Sequence, residues 1–202
     1  MHSRLTRLIF GLAIFLSPVA YGQPVTIGVI ADVNGSACQT KFPSSSLKAF
    51  ESLLKHHPLD QIIMTGDAVH GECMSYTGKE PYQSVVTKMW DEFDTKFVRV
   101  AQATRGLDIV LAPGNHDAPY LFSTSRAGFR TENAGFVSYW NELKPRLAVQ
   151  PLEVPGAPSN YPYYWAYVHE EVLFVVLQST RTHSLSNAPE QKRWLRAVLS
   201  SA

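Results

Sequence analysis

Of the 202 residues, 45% are hydrophobic and 17% charged, an ordinary globular composition with no internal repeat, low-complexity tract or block of like charge. The formal net charge is +1, and loss of Arg4 and Arg7 with a leader would bring it to −1. No net basic field therefore argues for nucleic acid or an anionic membrane surface as a partner.

The chain opens on "MHSRLTRLIFGLAIFLSPVAYGQ", with Arg4 and Arg7 ahead of an apolar run from Leu8 to Ala20 and small residues, Ala20 and Gly22, at its end. This is the pattern of a secretory signal peptide spanning residues 1–22, cleaved before Gln23. The competing reading, a stable membrane anchor, fails on length, because a bilayer span needs about 20 apolar residues. The expected location is secreted or periplasmic, and residues 23–202 are long enough for one domain with a sizeable core.

Strands and helices then alternate. "VTIGVIAD" (25–32) reads as a buried strand bounded by Pro24 and Gly35. "SSSLKAFESLLKHH" places Leu47, Phe50, Leu53 and Leu54 on one helical face, with serines able to cap its start. "QIIMTGD" (61–67) is a second strand. A long amphipathic helix follows, with Val86, Met89, Trp90, Phe93, Phe97 and Val100 inward, Pro81 near its start and Gly106 after its end. "DIVLAPG" (108–114) is a third strand. This order argues for a parallel βαβαβ unit.

From Asp117 to about Asn160 the sequence is irregular, with one short helix expected in "FVSYWNELKPRL". Tyr163–His169 and Val172–Gln178 then read as a hairpin turning at Glu170-Glu171, and "APEQKRWLRAVLSS" as a final helix with Pro189 at its start and Trp194, Leu195, Val198 and Leu199 on its buried face.

Three strand ends carry chemistry. Asp32 closes the first in "IADVNG", Asp67 the second in "MTGDAVHG", and Asn115 and His116 follow the third in "APGNHDAP". Ligands of open parallel α/β sheets bind at the carboxyl ends of the strands. Two carboxylates, an amide and an imidazole there suit divalent Zn, Mn, Fe or Mg, and one of the aspartates could bridge two ions. Each piece alone reads equally as a turn; the ordered set is what points to a metal site.

Export also bears on Cys38 and Cys73, since an even pair in an oxidising compartment is more often a disulfide than two thiols. Each lies six residues beyond a strand-end aspartate, Asp32 and Asp67 respectively, so both belong to neighbouring loops.

The ordered set "D-x-N … GD-x-x-H … GNHD" resembles the calcineurin-like metallophosphoesterase superfamily, which includes the purple acid phosphatases. "YPYYWAYVHEEVLFVVLQST" is similar to the family's tyrosine-containing hairpin and "PEQKRWLRAVL" to the helix after it, so the likeness runs from about Val25 onward. The resemblance implies an α/β/β/α sandwich with a βαβαβ metal-site core and hydrolysis of a small phosphate ester through two divalent metal ions (Fe, Zn, Mn or Mg), hydroxide attacking phosphorus in line. It assigns Asp32 to the first metal, Asp67 to a bridging position and Asn115 to the second metal. It makes His116 the group that contacts the phosphoryl oxygen and serves the leaving group.

The chain departs from the family pattern in three places. Asn34 stands where the family has the histidine of D-x-H, and an amide oxygen is a poorer ligand for Zn or Fe than imidazole. His70 stands where some members carry an aspartate that orients the catalytic histidine; Asp117 is expected to take that role, the alternative being that His70 approaches the metals. The family's later histidine and G-H-x-H segment have no counterpart, so the domain is expected to be C-terminally incomplete and weak in metal binding and turnover. His183 is the remaining histidine with a chance of reaching the site, and Arg126 and Arg130 are candidates to meet a phosphate. A catalytically impaired relic or binding scaffold is the alternative function. A sugar or peptide module built on "SNYPYYWAY" is less economical than reading those aromatics as core and strand pairing.

Overall fold

A computed structural model of the chain describes residues 24–36, 38–71, 78–117, 127–179 and 185–201. The expected signal peptide, Cys73, Arg126 and His183 lie outside the described residues.

Strands β1 (Ile27–Ile30), β2 (Gln61–Met64) and β3 (Ile109–Leu111) form a parallel sheet in that order, Ile27 opposite Gln61 and Ile62 opposite Ile109. The apolar runs of the sequence are longer than these strands. Ladder pairing stops where the backbone turns left-handed at Asp32 (φ 51°) and, on β2, at Gly66 (φ 114°) and Asp67 (φ 57°). The residues expected to carry chemistry therefore stand just past the strands, where their side chains are free of the pleat.

Helix α1 (Ser44–His56) joins β1 to β2 and buries Phe50 and Leu54. Its N-cap is Pro43, without a side-chain cap bond, so the serines expected to cap it lie in the first turn instead. β2 is joined to β3 by α2 (Tyr82–Phe93), a single π turn (Asp94–Val98) and α3 (Arg99–Arg105), which ends on left-handed Gly106. The π turn replaces part of the regular helix expected there. Its extra residue lets Phe93, Phe97, Val98 and Ala101 all face inward. It also places the buried Asp94 carboxylate against Arg99 (2.5 Å), Arg146 (3.1 Å) and the hydroxyl of Tyr139 (3.2 Å). Burial and the adjacent carboxylate hold the Tyr139 phenol far above its ordinary range, so it stays a donor.

Helix α4 (Ala127–Leu143), prolonged by a 3-10 turn at Lys144–Arg146, begins well before the short helix expected at Phe136. Packing on α2 supports the glycine-bearing first half: a Cβ at Gly135 would stand 2.3 Å from Val86 Cγ1, so only glycine allows this closeness. Strands β4 (Trp165–His169) and β5 (Val172–Val176) form the expected antiparallel hairpin. β5 stops short of Gln178 because the Gln191 side chain takes that residue's backbone, accepting its N–H (2.8 Å) and donating to its carbonyl (2.9 Å). Gln191 belongs to α5 (Pro189–Ser201), whose buried residues include Trp194 and Val198, while Leu199, expected to be buried, is exposed.

Both sheets share one core. Tyr167 stacks on its cross-strand partner Phe174 at 5.0 Å, and its hydroxyl donates to Gln61 Oε1 (2.8 Å) at the start of β2. Hairpin and parallel sheet are thus joined by a buried hydrogen bond as well as by apolar contact. Among the described residues no helix is long and apolar enough to cross a membrane.

The hairpin turn offers a test. Glu170 and Glu171 both have positive φ (48° and 64°), as a type I′ turn requires, and both are exposed. Left-handed geometry costs a non-glycine residue roughly 1–2 kcal/mol. Replacing the pair with Asn-Gly should raise stability by about 1 kcal/mol, read as an upward shift in the urea midpoint.

Candidate functional site

The three strand-end loops are tied together by backbone N–H groups and two aspartates. Register first brings the ends level: Thr65 N–H donates to Ile30 O (2.9 Å) and Ala112 N–H to Met64 O (2.8 Å). Asp32 N–H then reaches the Gly66 carbonyl (3.3 Å). The turn Gly114-Asn115-His116-Asp117 folds back on itself, with Gly114 N–H on Asp117 Oδ2 (2.9 Å). The same carboxylate accepts Asp67 N–H (2.8 Å) on Oδ2 and Val69 N–H (2.9 Å) on Oδ1. Asp67 returns the contact, its Oδ1 accepting His116 N–H (3.0 Å).

The glycines are explained by this closeness. A Cβ at Gly66 would stand 2.7 Å from Gly114 Cα, and one at Gly114 only 2.1 Å from Asp67 Oδ1. The "GD" and "GNHD" glycines are thus where two backbones press together, a stronger demand than the sharp turn the sequence suggests. Gly66 carries in addition a φ that L side chains rarely adopt.

Asp117 is 1% exposed. Burial pushes its carboxyl up to about 7, with the nearby Asp67 carboxylate adding to the effect, against the pull of the three N–H donors. Its two oxygens are committed to backbone, so any orienting effect on His116 passes through the turn it closes.

The remaining expected residues fall around this clamp. Asp32 is exposed, and Asn115 is half-buried between Gly114 and His116. Asn34 is half-buried and donates its amide to the Val69 carbonyl (3.4 Å), which turns the amide oxygen away from that contact. His70, half-buried, lies beside His116 with ring centroids 4.0 Å apart. Cys38 is half-buried and its N–H donates to the His70 carbonyl (3.1 Å); no free cysteine occurs among the described residues. Among those residues no three His, Cys, Asp or Glu side chains converge as a metal site. The donor set expected from the sequence draws half its members from amides, Asn34 and Asn115, which keeps it outside that group of ligands.

The sequence reading missed Glu132. It is 2% exposed, accepts the Tyr82 hydroxyl, and packs behind the His116 turn, where a Cβ on Gly71 would be 3.0 Å from Glu132 Oε2 and 2.7 Å from His116 O. The signal was present: Glu132 is in helical step with Phe136, Trp140 and Leu143, a carboxylate in an otherwise apolar stripe.

The clamp predicts a stability effect separate from any chemistry. Asp117→Asn keeps the shape but offers one acceptor oxygen to three N–H donors and turns an NH₂ toward the others. Each buried donor left unpaired costs about 1–3 kcal/mol, so the variant should lose roughly 2–4 kcal/mol by urea denaturation. A midpoint equal to wild type would show that the clamp does not hold the loops.

The family model of the calcineurin-like phosphoesterases matches residues 25–197, a span that takes in all three strand-end loops, the hairpin and most of α5. No curated protein and no solved structure is matched. With the mixed α/β architecture, the parallel sheet and the match over most of its length, the chain belongs to the calcineurin-like phosphoesterase family.

Proposed function

We propose that this chain is an exported, metal-dependent phosphoesterase that hydrolyses small phosphate esters at the three strand-end loops. The observation that carries the reading is the pair of left-handed aspartates, Asp32 and Asp67, at adjacent strand ends. A non-glycine residue in that conformation is disfavoured, and such residues concentrate at functional sites when the surroundings hold them there. Here the Gly66 carbonyl holds Asp32 and the Asp117 carboxylate holds Asp67.

Asp32, Asn34, Asp67 and Asn115 are the residues that would hold two divalent cations, and their hard oxygen donors fit such ions. Asp67 has one oxygen engaged by His116 N–H and the other outside that bond; Asn34 has its amide nitrogen engaged and its oxygen outside the bond. Once bound, the cations would supply positive charge against the phosphoryl oxygens and activate water. His116, fixed through its backbone on both sides by Asp67 and Gly71, contacts the phosphoryl group and gives a proton to the leaving oxygen. Asp117 maintains the turn that presents it. Arg130, exposed on α4, is a candidate to meet the phosphate.

The reading is tested on the mature chain purified from the periplasm or medium. It should bind Mn²⁺ or Zn²⁺ by elemental analysis and hydrolyse a chromogenic aryl phosphate, with activity lost to chelator and restored by metal. His116→Asn should lower kcat about 10²–10⁴-fold while bound metal and Tm stay near wild type. Metal bound without turnover on any phosphate ester would favour the scaffold reading instead. Neither metal nor turnover would overturn the proposal.

Export brings the cysteines with it. Cys38 and Cys73 are proposed to pair, which the tie from Cys38 N–H to the His70 carbonyl supports by bringing the loop after β1 against the one after β2. Closing a loop of this length contributes on the order of 3–4 kcal/mol. Exported protein should therefore show no thiol to alkylation until it is reduced, and two alkylatable thiols beforehand would rule the pair out.

A further inference from the structure

We propose that His70 is a positioning residue for His116, fixing the tilt of that ring by direct contact from a ring that is itself pinned to the loop after β1. The inference rests on the proposed function for its catalytic consequence, and on the geometry alone for the contact.

His70 is held at every point along its own length. One residue back, Val69 N–H is taken by Asp117 (2.9 Å). Its own carbonyl accepts Cys38 N–H (3.1 Å), and the next residue, Gly71, donates its N–H to the His116 carbonyl (3.0 Å). The imidazole is pinned as well: Nδ1 lies 2.7 Å from the Gly35 carbonyl. A carbonyl oxygen can only accept, so Nδ1 carries the proton and the ring's orientation is set.

This pinned ring meets the ring of His116 at 4.0 Å between centroids, tilted by 54°. At that separation the His116 ring cannot rotate toward His70 without displacing it, and displacing it breaks the bond to Gly35. The backbone is shaped for the approach, since a Cβ on Gly71 would stand 2.7 Å from the His116 carbonyl. The carboxylate beside His116 in sequence, Asp117, has both oxygens engaged by backbone donors, whereas His70 meets the His116 ring directly. A group that must meet a leaving oxygen in one direction gains rate from such a restraint, because misplacement by about 1 Å costs as much as 10²-fold.

Two variants separate pinning from ring contact. In His70→Asn the side-chain amide can still donate to Gly35 O but no ring faces His116; His70→Ala removes both. Both should lower kcat about 10–100-fold with KM, bound metal and Tm near wild type. In both, ¹H–¹³C spectra of the histidine rings should lose the contact between the two rings, and the His116 ring resonances should shift. Wild-type kcat in His70→Asn would overturn the proposal, reducing His70 to a peg for the Gly35 loop, and loss of bound metal in either variant would overturn it in favour of a ligand role. A wild-type protein without turnover on phosphate esters would defeat the functional reading and its kcat consequence. The spectra decide the contact separately, and His116 resonances unchanged in His70→Asn overturn it.

Discussion

The Asp117 carboxylate accepts three backbone N–H groups, from Asp67, Val69 and Gly114, and on it depends the alignment of everything at the strand ends. A parallel sheet delivers loops to a common edge but does not by itself hold them in one arrangement, because each loop leaves its strand independently. A buried carboxylate shared between two loops does hold them. Hydrogen bonds to a charged acceptor are about twice as strong as neutral ones, and leaving a buried acceptor or donor unmet is costly enough to exclude alternatives. The return contact, His116 N–H on Asp67 Oδ1, makes the restraint reciprocal.

That restraint supports unfavourable local geometry. Asp32 and Asp67 sit in left-handed backbone, and Gly66 and Gly114 touch so closely that neither could carry a side chain. None of these conformations is favoured by the residue alone, apart from what glycine tolerates. They persist because strands fix one end of each loop, while Asp117 holds the loops after β2 and β3 and the Gly66 carbonyl takes the Asp32 N–H. The chain has arranged cost and restraint at the same place, and that place holds the acidic and amide side chains proposed to bind cations.

Farther away, buried polar contacts join elements that apolar packing alone would leave free to slide. Tyr167 on Gln61 links the hairpin to the parallel sheet, and Gln191 on the backbone of Gln178 fixes α5 against the end of β5. Asp94, in the π turn, gathers Arg99, Arg146 and Tyr139 and so ties the long crossover to α4. In each case one group is satisfied only in one relative placement, which gives the core a specific arrangement as well as stability.

The sequence alone determined the order of strands and helices, the hairpin with its turn at Glu170-Glu171, and the three strand-end motifs. Each is written in local terms: apolar runs of strand length, 3.6-residue spacing, and punctuation by glycine and proline. Only the tertiary structure decided the rest, because it turns on contacts between residues far apart in the chain. The lengths of β1 and β2 were set by where left-handed aspartates end the ladder, and the early start of α4 by its packing on α2. The π turn was set by a core that needs Phe97 and Val98 inward together. Asp117 reads in sequence as a partner of His116, yet its oxygens meet backbone donors as far as fifty residues away. His70 and Glu132 stand beside His116 only after β2, β3 and α4 are assembled, and no local pattern encodes a meeting of that kind.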